Sequence, residues 1–256
     1  MQVTRSMNFS MTIGWLYPDL MSTYGDRGNV IVLEKRCLWR GIECIVKKIF
    51  VNDAPEIVLS CDLFMMGGAQ DLQQEIVNRD LSGKKGELLL KKLNNGVPGL
   101  FVCGAYQFLG KYYKAADSTV IKGLSFFDMY TEHPGEQVAR CIGNIIVEWK
   151  GKQLVGFENH GGRTHISDKS QTFAKVIKGY GNNGADQTEG MIYKNAIGTY
   201  LHGPILPKNP EVADFLIEKA LEKKFTKSIE LTSLDNKLES KAKSVIIRRL
   251  QTPHRE

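Results

Sequence analysis

Short apolar runs alternate with stretches of helical period between residues 12 and 111, and no other feature constrains the fold as tightly. Residues 12–17 (TIGWLY) are apolar and closed by Pro18-Asp19, as a buried first strand would be. The turn-rich segment YGDRGN leads into residues 30–40, whose apolar positions 30, 33, 37 and 38 share one helical face until Gly41 stops the helix. Residues 42–51 read as a second strand, and 57–66 as a helix-to-strand passage with its strand at 62–66, before Gly67-Gly68. Residues 72–77 and 86–94 are helical in pattern, and Asn94-Asn95-Gly96 ends the second of them. Val97-Pro98-Gly99 opens a buried parallel strand over 100–103 that ends at Cys103, and residues 104–111 turn at once to helix. Shorter strands follow at 144–149, 154–158, 173–178, 190–193 and 196–201, either extending the sheet or forming an antiparallel edge. Helices return at 210–223, with Asn209 as cap and Pro210 in the first turn, and at about 235–250. The expected fold is α/β: a doubly wound, mostly parallel sheet flanked by helices over residues 1–224, with a basic helical C-terminal extension over 225–256.

Composition narrows the function classes. The longest apolar stretches, 97–102 and 63–66, fall far short of the roughly 18 residues that a membrane span needs. The first ten residues carry one positive charge and no apolar core, so no secretory leader is expected and the reading is cytoplasmic. The formal charge of +6 arises from 34 basic and 28 acidic residues, mostly interspersed. Basic clusters at Lys84-Lys85, Lys91-Lys92, Lys223-Lys224 and in the tail from Lys237 to Arg255 lack the interleaved aromatics of a base-stacking surface, so no nucleic-acid partner is expected. Cysteines stand at 37, 44, 61, 103 and 141, an odd number without a CxxC pair, which favours neither a zinc site nor a disulfide framework. His160 and His165 lack the further ligand spacing of a metal site, and no metal is assigned. No GxxxxGK[ST] loop is present, so no nucleotide is assigned to this chain.

Cys103 differs in its setting from Cys37, Cys44 and Cys141, which read as buried packing residues. A nucleophile on a sharp strand-to-helix turn is exposed at the carboxyl edge of a sheet, with the following amides aimed at the carbonyl it attacks. Helix dipoles at such a turn favour a thiolate, and Gly104-Ala105 leave room for tight backbone. His202, in GTYLHGPILP, ends an apolar run ahead of Gly203-Pro204, which places an imidazole at a sheet edge where it can serve as base.

The stretch CGAYQFLG resembles the nucleophile turn of class I glutamine amidotransferases of the cobyric acid synthase branch. YGDRGN, GFENHGGRTH, GYGNN and GTYLHGPILPKNP together resemble the GatD family, the glutaminase subunits of lipid II isoglutaminyl synthases, from about residue 12 to 223. The resemblance implies a class I amidotransferase fold and glutamine hydrolysis by Cys103 through a glutamyl thioester, with His202 as base. It implies that Arg140 grips the glutamine α-carboxylate, since a guanidinium suits bidentate capture, and that Gln107 stands beside the substrate. An oxyanion hole would use the amides of Gly104 and Gly68. Asn159-His160-Gly161-Gly162-Arg163 either lines the glutamine site or forms a turn beside it.

Ala105 replaces the family's usual second glycine, and Pro204 stands where many class I glutaminases carry the acid that orients the histidine. The resemblance implies that a Mur ligase-like partner of the MurT kind supplies an aspartate in trans, with Glu158 or Glu189 as internal fallbacks. It further implies a heterodimer in which ammonia passes to that partner, ATP and magnesium being the partner's, for amidation of the D-glutamate α-carboxyl of lipid II at the inner membrane face. Two alternatives stay open at this level: a cobyric acid-like acceptor, or a non-catalytic regulatory subunit.

Overall fold

A computed structural model describes residues 9–22, 25–69 and 71–252. The leader reading over residues 1–8, Tyr24 of YGDRGN and the last residues of the basic tail lie outside the described residues. In chain order the elements are β1 (Ser10–Leu16), α1 (Arg27–Leu38), β2 (Glu43–Ile49), β3 (Leu63–Met66), α2 (Asp71–Leu81), α3 (Lys84–Asn94), β4 (Gly99–Val102) and α4 (Gly104–Phe108). They continue with β5 (Tyr112–Lys114), β6 (Val120–Lys122), β7 (Met129–Glu132), β8 (Cys141–Trp149), β9 (Lys152–His160), β10 (Arg163–Ile166), β11 (Thr172–Lys178), β12 (Thr188–Tyr193), β13 (Ala196–Thr199), α5 (Pro210–Phe225) and α6 (Lys237–Gln251).

A nine-stranded sheet runs in the order β2-β1-β3-β4-β13-β12-β11-β8-β9. From β2 through β13 every pairing is parallel. Beyond β13 every pairing is antiparallel, so the later strands extend the sheet as an antiparallel wing. Strands β3 and β4 are buried along their whole length, because helices cover both faces. Leu63, Met65, Leu100 and Val102 pack with α1 and α5 residues such as Leu33 and Leu216. Phe64, Met66 and Phe101 point the other way, onto α2 and α3 residues such as Leu81 and Leu89. This period-2 division over two layers is the doubly wound arrangement expected from the sequence.

Three local expectations are corrected. The helix after Cys103 ends at Phe108, not Lys111. The carbonyls of Phe108, Leu109, Gly110 and Lys111 accept from the amides of residues 123–127, and this strap takes the acceptors that further helical turns would use. A separate four-stranded sheet, β10-β7-β5-β6, had no counterpart in the sequence pattern, since its strands are only three or four residues long. The last apolar run ends as strand at Thr199, because His202 leaves the sheet to exchange backbone hydrogen bonds with Phe157 at 2.7 and 3.1 Å.

Asn209 precedes α5 as expected, yet its side chain does not cap the helix. It brackets Val155 of β9 instead, accepting from the amide at 3.0 Å and donating to the carbonyl at 2.8 Å. The C-terminal extension is docked on the domain. Arg36, buried in α1, makes a two-pronged contact with Asp214 of α5, 2.7 Å for each prong, and donates to Asn236 just before α6 at 2.9 Å. Lys243 of α6 reaches Gln153 O at 3.0 Å and pairs with Glu211. Among the described residues no helix is long and apolar enough to cross a membrane.

Candidate active site

Cys103 sits between β4 and α4 with φ 54° and ψ −107°, a backbone state that non-glycine residues adopt at a cost of roughly 1–3 kcal/mol. Two hydrogen bonds hold it there: its N–H donates to Thr199 O at 2.8 Å, and its carbonyl accepts from Gln107 N at 3.0 Å. Strand β13 therefore braces the turn from one side and the first turn of α4 from the other. Gly104 begins α4 beneath the side chain of Gln74, since a Cβ there would lie 2.8 Å from Gln74 Nε2. Gln74 in turn donates to Ala69 O at 2.9 Å, closing α2 over the loop after β3.

His202 is fully buried, and the N-terminal end of α1 clasps the segment that carries it. A Cβ on Gly28 would come within 2.5 Å of Pro204 Cγ, and Asn29 Oδ1 accepts from Leu206 N at 2.9 Å. The same turn delivers Asp26, whose Oδ1 lies 3.9 Å from His202 Nδ1. Gly68 closes the group: a Cβ there would stand 3.2 Å from both Cys103 Cβ and His202 Cε1. Burial alone would lower the His202 pKa, but the negative charge of Cys103 and Asp26 and its hydrogen bonding to both outweigh that and push it up to about 10. His202 therefore holds its proton more firmly than a free imidazole.

Gly68 N–H, expected in the oxyanion hole, donates to Asp26 Oδ2 at 2.8 Å, so in this structure that amide is turned to the carboxylate. Gln107 is buried and donates to Tyr200 OH at 3.1 Å. Tyr200 OH continues to Thr164 Oγ1 at 2.6 Å, and Thr164 to Thr131 at 2.7 Å, which fastens the site to the small sheet. Gly162 lies beside Gln107, since a Cβ would meet Gln107 Nε2 at 2.9 Å; on Gly161 one would meet Arg140 Nη1 at 3.2 Å. Through this glycine pair Arg140 and Gln107 border one stretch of backbone. Arg140 is exposed and held by Asn159, Nε to Oδ1 at 3.0 Å and Nη2 to the carbonyl at 3.2 Å. His160 stacks on Tyr200 at 3.7 Å and bonds Gly162 O through Nδ1 at 2.8 Å. Burial pulls its pKa down to about 3, so it remains neutral. His165 stacks instead on Tyr130 in the small sheet.

The model of CobB/CobQ-like glutamine amidotransferase domains matches residues 12–210. The chain belongs to that family. A GatD subunit of lipid II isoglutaminyl synthase (glutamine-hydrolyzing) from Staphylococcus aureus is 43% identical over 241 residues, 93% of this chain and 96% of the relative. The subunit of the same name from Streptococcus pneumoniae is 36% identical over 230 residues, covering 89% and 87%. A probable cobyric acid synthase from Methanococcus maripaludis is 30% identical over 200 residues, but this chain accounts for only 38% of it. Among solved structures, PurLQS from Thermotoga maritima shares the fold, with a TM-score of 0.53 at 14% identity over 86% of this chain and 100% of that one.

For this glutamine amidotransferase, the expectation that the chain brings no acid to His202 does not hold. Pro204 leaves the usual position empty of acid, but Asp26 approaches from a different element. The two fallback acids are engaged elsewhere. Glu158 accepts from the amides of Tyr180 and Gly181 at 2.7 and 2.9 Å. Glu189 accepts from Thr199 Oγ1 and from Tyr200 N, the latter at 2.9 Å. Asp26, Gln74, Tyr200 and Thr164 went unremarked as site residues. Asp26, Thr164 and Tyr200 lie within the motifs YGDRGN, GFENHGGRTH and GTYLHGPILPKNP; nothing in the sequence marks Gln74.

Proposed function

We propose that the chain is the glutaminase subunit of a two-component enzyme: it hydrolyses glutamine and passes the ammonia to a Mur ligase-like partner of the MurT kind. That partner, using ATP and magnesium, would amidate the D-glutamate α-carboxyl of lipid II. The observation that carries this reading is the closeness of Cys103 and His202 around Gly68, in a chain matched over 93% and 89% of its length by two GatD subunits.

The chemistry follows from the charges. Cys103 Sγ attacks the side-chain amide carbon of glutamine, and the C–N bond breaks as His202 gives its proton to the departing nitrogen, releasing ammonia. The neutral imidazole then takes a proton from water as the hydroxide oxygen attacks the thioester carbon. Glutamate leaves, and Cys103 and His202 return to their starting forms. In this reading Arg140 holds the α-carboxylate and Gln107 borders the substrate, while the Gly104 amide, and the Gly68 amide once free of Asp26, donate to the oxyanion. This chain needs no cofactor for these steps.

The deciding experiment is co-purification with the Mur ligase-like partner, followed by ammonia release from glutamine by the chain alone and by the pair. The expected result is a marked gain on adding the partner and loss of release in Cys103→Ser with the complex intact. Unchanged ammonia release in Cys103→Ser would refute the reading.

A further inference from the structure

His160 ends β9 with its ring buried and laid flat on Tyr200, 3.7 Å between centroids. Its Nδ1 lies 2.8 Å from Gly162 O, and a backbone carbonyl can only accept, so Nδ1 carries the proton. Burial keeps the ring neutral, with a pKa pulled down to about 3, which leaves Nε2 a bare lone pair. Among the described residues no group bonds that nitrogen. Buried polar atoms are almost always paired, so this acceptor is matched to a donor that comes from outside the chain. Its neighbours show where such a donor would sit. Tyr200, against the ring, accepts from Gln107 and feels the charge of Cys103. Asn159 and Gly161, on either side of His160 in the chain, hold and border Arg140. The charges that act most on His160 are those of Arg163, His202 and Arg140. His160 therefore stands between the nucleophile and the arginine read as the carboxylate grip.

We propose that His160 is a specificity residue whose Nε2 accepts a hydrogen bond from the α-ammonium of the bound glutamine. With the α-carboxylate on Arg140 and the side-chain amide at Cys103, the α-carbon lies toward Arg140, and its ammonium needs an acceptor there. A carboxylate in that place would pair with Arg140 and Arg163 and compete with the substrate for them. A neutral imidazole offers a lone pair and leaves Arg140 to the substrate carboxylate. His160 takes no proton and no bond changes at it. The contact is the same in the ground state and the transition state, so it acts on the binding and choice of substrate rather than on kcat. This inference rests on the glutaminase reading and names the part of glutamine that this side chain recognises.

The test compares L-glutamine with glutaramate, the same molecule without its α-amino group, as substrates of the wild-type pair and of two variants. His160→Asn keeps an N–H where Nδ1 donates to Gly162 and supplies nothing at Nε2. His160→Gln instead sets a carbonyl oxygen where Nε2 lies. Both lose the ring on Tyr200, so packing alone affects them equally. The wild-type pair should prefer glutamine by about 100-fold or more in kcat/KM; His160→Asn should cut that preference about 10-fold or more, mainly through KM, and His160→Gln should keep most of it. No preference in the wild type, an unchanged preference in His160→Asn, or an equal fall in the two variants overturns the proposal. Should the variants fold poorly, the native side chain answers directly. In the Cys103→Ser pair, with this chain's histidines labelled with nitrogen-15, the imidazole that carries its proton on Nδ1 is followed by NMR. Its Nε2 signal should shift on adding glutamine and stay in place on adding glutaramate. The same response to both compounds, or none to either, overturns the proposal. If the wild-type pair releases no ammonia from glutamine, the glutaminase reading fails on its own, and the Nε2 signal still decides whether His160 reads the α-ammonium.

Discussion

Gly28 packs against Pro204 so closely that a Cβ on the glycine would come within 2.5 Å of the proline ring. The start of α1 is thereby seated on the turn that follows His202. Gly28→Ala must push the proline or the helix aside, an overpacking change that costs about 1–3 kcal/mol. Because a displacement of about 1 Å at a catalytic group can lower the rate roughly 100-fold, kcat/KM for glutamine should fall much further than the melting temperature suggests. Steady-state kinetics beside thermal denaturation of the same preparation checks this.

The strained backbone at Cys103 predicts an opposition between stability and chemistry. Glycine tolerates φ 54° and ψ −107° without the Cβ penalty, so Cys103→Gly should abolish turnover while offsetting some of the roughly 1–3 kcal/mol of strain. Cys103→Ala removes the thiol without relieving the backbone. Denaturant unfolding should rank the glycine variant above the alanine variant.

Two buried groups set the response of stability to pH. Burial raises Glu189 from its ordinary 4.5 to about 7, against the hydrogen bonds from Thr199 and Tyr200. A carboxyl with a raised folded pKa contributes stability that is complete below about pH 4.5 and is lost as the pH rises through 7. His202, raised from 6.5 to about 10, contributes stability that is complete below 6.5 and declines toward pH 10. Glu189→Gln should flatten the decline in the lower window and leave the upper one unchanged, as read by unfolding free energy across pH 5–10.

Arg140 is exposed and held by Asn159, which leaves part of its guanidinium fork for a carboxylate. Losing a charge-assisted pair of this kind costs about 1.5–3 kcal/mol. Arg140→Ala should therefore raise KM for glutamine by roughly 10- to 100-fold with a smaller change in kcat, and Arg140→Lys should recover only part of it, since an ammonium cannot reproduce the fork.

The C-terminal helix gives a prediction about folding alone. Arg36 is 1% exposed and its guanidinium is matched by Asp214 on one side and Asn236 on the other. Asp214→Ala leaves this charge buried with its main partner gone, at a cost of about 3–5 kcal/mol. Accelerated proteolysis around residues 225–236, ahead of global unfolding, would show that α6 is the part released.

The sequence by itself determined the parallel half of the sheet, its covering helices and the cysteine at the strand-to-helix turn. Those features are local: apolar runs such as 100–102 bounded by turn formers, helical periods ending at Gly41 and Gly96, and a cysteine where strand gives way to helix. Tertiary structure decided what no local pattern encodes. The small sheet depends on pairing very short strands across the sequence, and α4 stops where a strap more than ten residues downstream takes its carbonyls. Most of all, Pro204 leaves no acid two residues after His202, and neither Glu158 nor Glu189 turns to the imidazole. Asp26 reaches the imidazole from 176 positions away (202 − 26), since α1 is clamped to the His202 turn by Gly28 and Asn29. Against the lowering by burial, Cys103 and Asp26 push the His202 pKa up to about 10, through contacts that exist only once the chain is folded.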